Sequence, residues 1–590
     1  MRLQYITKAF VATVFVLGLT ACEDIFETDS DGYVFVDENT LSDPNDSLYS
    51  AMGILNQLQA IGDRYVLLGE LRGDLVSVPA TAPMSLQEIS EFNMTNTNVY
   101  SSRSDYYKVI NNCNYALAKM DTAITQNLDK VMMPEYTAIR TIRAWVYWQM
   151  ALTYGKVTYV EEPVLSLEDS EKEYPEIEID ELASLLIDDL TPYVGVDVPN
   201  YGTIDGMNSI NFFIPVRLLL ADLHLYQNNY ETAAQLYYDL MYARSYTVSW
   251  GYANYWTSAV QEGGNLNNRT AYRDEAVAMI PYPSDAKKYH PSLVNMTYNV
   301  TPQIYPATWY VSTMNLKTHY HIDRVGINTI SGYLEGDTRG QMLFRDGVTE
   351  ESSAYGNFRT GTTTEDLMIS KFYHNAYEYS DVTNLENEMF GEGVSSRILR
   401  QIVLYRMPHL YLRYAEAVNR AGKPSLAFAV LKYGLREEVV TDSTKVARGE
   451  LATGEAWTNF TDSRFENNYG IAMRGRGLGI AVEKTDYIIP DYTRYVDAVD
   501  SLGNPIQVPS EIATDLENAR RDSILWVEER IVEEMAAETM FEGNRFFDLL
   551  RVSRHRDDHP AYMAEKISVR FDNAEAVRAR LLNKENWWLK

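Results

Sequence analysis

The chain is poor in cysteine and in basic residues. Only Cys22 and Cys113 occur among its 590 residues, so disulfide bonds cannot explain how a protein of this size holds together. Cys113 lies in a helical-looking segment, and we expect it to be a small buried residue. The 52 Lys and Arg residues stand against 82 Asp and Glu, which gives a net charge of −30. Because a protein that binds a polyanion needs a basic surface, this composition argues against nucleic acid as a partner.

Familiar catalytic motifs are also missing. The sequence contains neither an H-E-x-x-H zinc motif nor a G-x-S-x-G nucleophile elbow. His555 and His559 have the i, i+4 spacing of some metal sites, but they follow a predicted helix within a charged stretch. The glycines at 475–479 lack the spacing of a nucleotide-binding loop. We therefore predict a protein that is not an enzyme and has no catalytic residue, no metal and no cofactor.

The only long apolar run lies at the N-terminus. Arg2 and Lys8 accompany the apolar residues 9–19, which are too few to span a bilayer, where a helix needs about 20 residues. This arrangement is typical of a signal peptide. The stretch LTAC that follows at 19–22 resembles the lipobox of bacterial lipoproteins, whose cysteine becomes the acylated N-terminus. We predict a lipoprotein signal peptide at 1–21, acylation of Cys22, including a palmitate, that anchors the chain to a membrane, and an acidic tether at 22–45.

The rest of the chain has the composition of a folded globular protein, with 46% hydrophobic and 23% charged residues. Apolar residues recur at helical spacing in 104–124 and in 133–155, where Ile139, Ile142 and Val146 share one face. A first helix is predicted around 46–60, and further helices come in pairs at 214–243, 404–436 and 519–555. The pattern predicts a mostly α-helical fold with four tetratricopeptide-like helical pairs.

Two long stretches lack this helical pattern and are rich in Gly, Asn, Thr, Ser and Tyr. They are too long to be simple connections, and long insertions on a rigid scaffold are where binding residues tend to lie. We predict a single domain at 46–590. Its helical scaffold lies mainly in 46–245, 400–440 and 515–555, and its irregular, loop-rich insertions, with short strands, lie at about 246–400 and 441–514.

Four blocks, in order along the chain, resemble the motifs of one family. ELRGDLV at 70–76 resembles its E-x-R-x-D stretch, and the block at 143–164 resembles its R-A-x-x-Y-x-x-L-x-x-x-Y-G-x-V-P motif. LYRMPHLYLRYAEAVNRAG at 404–422 is similar to its R-x-x-E-x-Y-L-x-x-A-E-A motif. The block at 528–551 is similar to its C-terminal signature E-R-x-x-E-x-x-x-E-G-x-R-x-x-D-L-x-R. Together with Cys22, these blocks resemble the SusD/RagB family, the surface lipoproteins of Bacteroidota that capture nutrients for a TonB-dependent outer-membrane transporter.

The resemblance implies both a fold and a function. It implies a SusD-like helical body with an irregular ligand-binding part, a lipid anchor in the outer membrane with exposure at the cell surface, and docking onto a SusC-like transporter as its lid. The ligand it implies is an oligosaccharide or polysaccharide. Some relatives take peptides, so an oligopeptide is the alternative, while a glycan hydrolase or a helical-repeat adaptor is less favoured. The chain departs from the family pattern at Thr158, where proline is usual, and at His409, where an acidic residue is usual.

The C-terminal signature contains four charged residues at i, i+3, i+6 and i+9. Residues at this spacing lie on one face of a helix, where neighbouring charges pair. We therefore interpret them as a structural ion-pair network that holds the last helices to the core, and not as a binding site. The four residues are Glu542, Arg545, Asp548 and Arg551.

Candidate ligand residues come from the aromatic and amide side chains of the irregular regions. A sugar ring offers a C–H face to an aromatic ring, and its hydroxyl groups need amides or charged donors. The stretch at 301–321 concentrates such groups, Trp256 is another ring of this kind, and the loop near 93–100 corresponds to a region where relatives place binding residues. The candidates are Trp309, Tyr310, Asn315, Tyr320, Trp256, Asn93 and Tyr100.

Overall fold

The computed structural model describes most of the predicted scaffold. It covers residues 41, 43–126, 129–248, 275–282, 292–297, 302–325, 328–335, 337, 339, 344–346, 367–369, 401–451, 454–476, 480–481, 489 and 510–590. For the strands within 318–335 and at 344–346 only the backbone is described. The predicted signal peptide, most of the tether and Trp256 lie outside the described residues.

Helices make up most of the described structure, which confirms the predicted fold class. None of these helices is long and apolar enough to cross a bilayer. In chain order they are α1 (Pro44–Glu70), α2 (Met84–Ser90), α3 (Ser104–Lys119), α4 (Met133–Tyr154), α5 (Leu167–Ser170), α6 (Ile179–Leu190), α7 (Val216–Tyr226), α8 (Tyr230–Arg244), α9 (Leu293–Thr297), α10 (Thr308–Leu316), α11 (Met407–Arg420), α12 (Pro424–Lys432), α13 (Glu437–Val440), α14 (Ser510–Thr539), α15 (Arg545–Arg554), α16 (His559–Ser568) and α17 (Ala574–Leu581).

The strands are short and form small antiparallel sheets. The three-stranded sheet has the order β11-β10-β15, and the two-stranded sheets pair β1 with β9, β2 with β3, β4 with β5, β6 with β7, β8 with β14 and β12 with β13. Their bounds are β1 (Val76–Ser77), β2 (Thr125–Gln126), β3 (Asp129–Lys130), β4 (Lys156–Thr158), β5 (Glu176–Glu178), β6 (Thr203–Ile204), β7 (Met207–Asn208), β8 (Ala276–Pro281), β9 (Tyr305–Pro306), β10 (Thr318–Val325), β11 (Asn328–Glu335), β12 (Phe344–Asp346), β13 (Leu367–Ile369), β14 (Gln401–Arg406) and β15 (Ile480–Ala481).

Consecutive helices pack against each other to build the scaffold. Helix α3 packs on α4, α7 on α8, α11 on α12 and α14 on α15. The long α14 also packs along α11 and α12, and α8 contacts α11. One continuous hydrophobic core runs through these contacts, and Cys113 is fully buried in it, as predicted.

Helix α4 shows how local signals fix the boundaries. Pro134 lies in its first turn, where the missing N–H carries no penalty, and Gly155 ends it at a φ of 79°, a conformation that glycine adopts most easily. The predicted apolar stripe is buried, but so is nearly every other residue from Ala138 to Tyr154. Helix α4 is therefore enclosed on all sides at the centre of the scaffold. An apolar stripe on one face of a helix does not predict burial of the other faces.

The predicted helix in 404–436 needs a correction at its start. Residues up to Arg406 form strand β14, which pairs with β8, and α11 begins at Met407 with Pro408 in its first turn. Strand β8 is buried along its whole length, as is β14 except at its first residue. A short apolar run that is buried on both faces has no alternating pattern, so periodicity alone cannot separate it from a helix.

Candidate functional site

The family-like blocks at 70–76 and 528–551 meet in the folded protein. The Gly543 N–H donates to Glu70 Oε1 over 2.8 Å. Arg545 grips the Asp74 carboxylate with two parallel bonds, Nε to Oδ1 at 2.5 Å and Nη2 to Oδ2 at 2.8 Å. Both Asp74 and Arg545 are buried. A ligand therefore does not contact these motif residues, which join the end of α1 to the start of α15.

The four charged residues of the C-terminal signature do not form the network on one helix that the sequence predicts. Glu542 lies in the turn before α15 and pairs with Arg406, with Nε to Oε2 at 2.9 Å. Arg545 pairs with Asp74 of another segment. Of the four, only Asp548 and Arg551 pair with each other, at 2.8 Å. These residues form ion pairs between different segments of the fold, because a buried arginine needs a carboxylate partner and the nearest one lies on another segment.

We use the term buried ion-pair network for the charged residues around Arg406. Its guanidinium is fully buried and also reaches Glu275 Oε2 at 3.1 Å and Glu538 Oε1 at 2.8 Å. Arg474 pairs with the same two carboxylates, at 2.8 Å to Glu275 and 3.3 Å to Glu538. Burial alone would raise the pKa of Glu538, but the surrounding arginines lower it. The network thus stays ionised and fastens β14 and the 471–476 segment to α14.

A second buried cluster lies between α11 and α15. Arg551 binds Glu416 with Nη2 to Oε2 at 2.7 Å, and His555 Nε2 lies 3.2 Å from Glu416 Oε1. Burial would raise the pKa of Glu416, yet Arg551 and His555 together lower it to about 2. The ring nitrogens of His555 lie within hydrogen-bond distance of Glu416, Tyr230 and Asn228. Among the described residues no group of three or more metal-ligating side chains occurs.

The two aromatic candidates on α10 lie in different environments. Tyr310 is 3% exposed, and its hydroxyl donates to the Ala536 carbonyl at 2.9 Å. Its ring has no open face for a sugar in this structure. Trp309 is half-buried, and its indole N–H donates to the Asp74 carbonyl at 2.7 Å. That bond fixes the orientation of the indole while part of the ring stays exposed, so Trp309 is the better of the two as a ligand contact.

The other candidates from the same regions are less well defined. Asn315 is half-buried near the end of α10. Tyr320 lies in β10, where it is the register partner of Tyr333 on β11; its side chain, like Trp256, lies outside the described part of the chain. The roles of Asn315, Tyr320 and Trp256 in ligand binding stay predictions.

Asn93 and Tyr100 lie on one loop, residues 91–103, that follows α2. Asn93 is exposed together with the neighbouring Thr95, Asn96 and Thr97, while Tyr100 is half-buried. The Arg64 guanidinium lies 5.6 Å from the centroid of the Tyr100 ring, within cation–π range. Amides and hydroxyls on an exposed loop beside an oriented ring are the groups that a sugar needs.

Buried and half-buried groups hold this loop in place. Glu88 accepts hydrogen bonds from the Asn98 amide at 2.8 Å and from the Thr95 hydroxyl at 3.1 Å. These bonds lower the pKa of Glu88, so the carboxylate remains an acceptor under mildly acidic conditions. Arg64 Nη1 donates to the Ser102 carbonyl at 2.6 Å. The loop therefore keeps a defined shape although its tip faces solvent.

Trp309 and the loop are linked through contacts between their neighbouring segments. Strand β1 pairs with β9, so that Val76 lies opposite Pro306 just before Trp309. Arg570 donates to the Val76 carbonyl at 2.8 Å and to the Ser90 carbonyl at 2.9 Å, at the end of α2 where the loop begins. We call residues 91–103 together with Trp309 the candidate binding surface.

Comparison with known proteins identifies the architecture. No family model and no curated protein matches the chain. A SusD superfamily protein from Bacteroides vulgatus is 13% identical with a TM-score of 0.56, and the match covers 93% of this chain and 96% of that one. Surface glycan-binding protein A from Bacteroides uniformis is 14% identical with a TM-score of 0.54, covering 92% and 96%. Its namesake from Bacteroides thetaiotaomicron, in complex with laminarihexaose, is 14% identical with a TM-score of 0.52, covering 93% and 96%.

The chain has the SusD fold. The SusD fold that the sequence blocks implied is thus confirmed over nearly the whole chain. Sequence reasoning missed the groups that shape the candidate surface of this SusD fold, above all Arg64, Glu88 and Arg570. The partners of Arg64 and Arg570 lie in distant segments of the chain, for Arg570 as far away as Val76 and Ser90. Glu88 bonds Thr95 and Asn98 only 7 and 10 positions away, but no motif in the sequence marks that contact.

Proposed function

We propose that this protein is a surface-anchored lipoprotein that binds glycans, delivers them to a TonB-dependent outer-membrane transporter and acts as the transporter's lid. The observation that carries the proposal is the structural match to two surface glycan-binding proteins, over 92% and 93% of this chain, one of them with a bound laminarihexaose. The lipobox-like LTAC at 19–22 supports the anchor. The transporter and the lid role follow from the family resemblance.

Capture needs no covalent step. The exposed part of Trp309 offers an apolar face to the C–H face of a sugar ring, and Asn93 and Asn96 offer amides to its hydroxyl groups. Tyr100, oriented by Arg64, adds a second ring. Because these contacts are shallow and reversible, a bound glycan can pass to a partner when the two proteins close around it.

The charge of the chain indicates which glycans to test first. A net charge of −30 repels polyanions over long distances. Neutral glycans should therefore bind better than those rich in uronic acid or sulfate. At physiological salt this repulsion is screened beyond about 8 Å, so the preference should strengthen at low ionic strength.

The test is isothermal titration of the mature protein, made soluble by replacing Cys22, against neutral β-glucans, anionic polysaccharides and peptide mixtures. We expect binding to a neutral glycan and a rise of about tenfold in Kd for Trp309→Ala, which corresponds to about 1.4 kcal/mol. Trp526→Ala is the matched control, since Trp526 is also half-buried but packs on Phe428 away from the candidate surface. Its Kd should stay within about twofold of wild type.

Three results would contradict the proposal. Binding of peptides with no affinity for any glycan would favour peptide capture. Release of shorter products from a polysaccharide by the purified protein would indicate a hydrolase. An equal loss of affinity in the Trp309 and Trp526 variants would show that the candidate surface is not where the glycan binds.

For the anchor, Cys22→Ala should move the full-length protein from the membrane fraction to the soluble fraction.

A further inference from the structure

Two charged residues after β11 are buried although they lie in the predicted loop-rich insertion. Arg339 holds Asp337 with Nε to Oδ1 at 3.0 Å and Nη2 to Oδ2 at 2.7 Å. The Arg339 backbone N–H also donates to Asp337 Oδ1, at 3.0 Å. Asp337 and Arg339 are each 4% exposed. A charged pair is buried at this depth only if every charge finds partners.

The remaining partners come from the long helix α14. Arg339 Nη1 donates to Glu534 Oε2 and to Glu538 Oε2, both at 3.1 Å. Glu538 is shared with Arg406 and Arg474 of the buried ion-pair network. Asp337 and Arg339 are therefore fastened to the same helix that holds the scaffold together.

Asp337 also holds α10. The Asp337 backbone N–H donates to the Met314 carbonyl at 2.9 Å. Met314 lies in the last turn of α10, and Trp309 lies in its first turn. Lys317, the residue that directly follows this helix, places its Nζ 3.7 Å from Asp337 Oδ2 and 3.8 Å from Glu534 Oε1. Asp337 thus contacts α10 through its backbone and α14 through Arg339.

The fit around the Asp337 carboxylate is close. A Cβ added at Gly475 would lie 2.7 Å from both carboxylate oxygens of Asp337. Such a contact is shorter than real Cβ atoms show, so the 471–476 segment closes over the Asp337 carboxylate without room for a side chain. The Asp337–Arg339 pair thus contacts α14 through Arg339 and the 471–476 segment through Asp337.

We propose that Asp337 and Arg339 form a clamp that positions α10 and the β10–β11 pair on α14, and thereby sets how firmly the candidate binding surface holds its ligand. Asp337 and Arg339 are positioning residues, because they act through α10 and do not touch the ligand. The ligand part of this inference rests on the proposed function, whereas the positioning part does not.

The experiment compares two near-isosteric neutralisations of buried carboxylates. Asp337→Asn weakens the clamp, and Glu416→Gln weakens the cluster between α11 and α15, which lies outside the candidate surface. Hydrogen exchange measured by mass spectrometry on the soluble mature protein reports local opening of each segment. Arg339→Leu serves as a stronger second variant, with α4 as the internal reference segment.

We expect Asp337→Asn to speed exchange in peptides covering 308–335 by about tenfold or more, with α4 unchanged. Glu416→Gln should speed exchange in α11 and α15 and leave 308–335 as in wild type. Equal exchange at 308–335 in Asp337→Asn and wild type would overturn the clamp, and so would the same acceleration there in Glu416→Gln.

The ligand part has its own readout. With the best glycan from the titration panel, Kd should rise about tenfold in Asp337→Asn, because the binding-competent position of α10 is populated less. In Glu416→Gln, measured well below its melting temperature, Kd should change less than about twofold. An unchanged Kd in Asp337→Asn, despite faster exchange, would refute the positioning role. If wild type binds no glycan, the proposed function fails, and the exchange data alone decide the clamp.

Discussion

Replacing Arg545 by leucine tests whether the family-like blocks act as structural elements. The guanidinium makes two bonds to Asp74 and a third from Nη1 to the Val532 carbonyl at 2.9 Å. In Arg545→Leu the Asp74 carboxylate loses its only ion-pair partner among the described residues, in a site that is 1% exposed. Asp74 also supplies the carbonyl that holds the Trp309 indole, so the change reaches the candidate surface.

The expected loss can be bounded. Removing one partner of a buried ion pair typically destabilises a protein by about 3–5 kcal/mol, because the other charge stays desolvated. Asp74→Asn in the same background replaces the stranded charge by a neutral amide, whose unsatisfied burial costs about 1–3 kcal/mol. The double variant Asp74→Asn/Arg545→Leu should therefore be more stable than Arg545→Leu alone, by about 2 kcal/mol.

The assay is urea unfolding of the soluble mature protein, followed by tryptophan fluorescence. The control is Arg244→Leu, which breaks an exposed pair with Asp197, a residue that is 90% exposed in its side chain. Exposed pairs contribute about 1 kcal/mol or less, so this variant should unfold close to wild type. The reasoning is refuted if Arg545→Leu loses no more stability than Arg244→Leu. It is also refuted if the double variant Asp74→Asn/Arg545→Leu is less stable than Arg545→Leu alone.

Two further predictions concern close packing and pH. Gly69→Ala should destabilise the protein by several kcal/mol, as severe overpacking does, because the added Cβ would lie 1.8 Å from the Gly543 carbonyl oxygen. The control is Gly53→Ala in the same helix, whose Cβ would meet nothing within 4 Å and which should stabilise the protein by up to about 1 kcal/mol. Both changes are measured as shifts of the urea unfolding midpoint. The Glu416 pKa lies near 2 in the folded state against 4.5 ordinarily, so its contribution to stability is present above pH 4.5 and is lost towards pH 2. Glu416→Gln should therefore flatten the fall of unfolding free energy across that window, and a slope equal to wild type would contradict the assignment.

Those helix boundaries that carry a proline or glycine signal were open to prediction. Pro134 and Gly155 bracket α4 because proline suits a first helical turn and glycine a left-handed end. The turn before α8 follows a similar local rule, because Asn228 adopts a φ of 67° there and asparagine tolerates that region better than most residues. Such signals are local, and local signals survive in a single sequence.

Tertiary partners were not predictable in the same way. Asp74 and Arg545 are 471 positions apart, and nothing in the spacing of the C-terminal signature indicates that Arg545 turns away from its helical neighbours. The sequence also did not indicate that Tyr310 is buried. Its ring could contact a sugar, but its hydroxyl donates a hydrogen bond to the Ala536 carbonyl in the core. A residue type predicts what a side chain can do, whereas burial decides what it does.

The structure separates the residues that hold the fold from those that could choose a ligand. Substituting one partner of a buried pair such as Glu416 and Arg551 destabilises the protein by about 3–5 kcal/mol, a large share of the stability of a typical domain. Substituting an exposed residue such as Asn93 changes stability by about 0.5 kcal/mol or less. A loop of this kind can therefore acquire a new specificity without disturbing the scaffold. For that reason a SusD fold at 13–14% identity identifies the scaffold, while the proposed function predicts that ligand specificity depends on the loop at 91–103 and on the surroundings of Trp309.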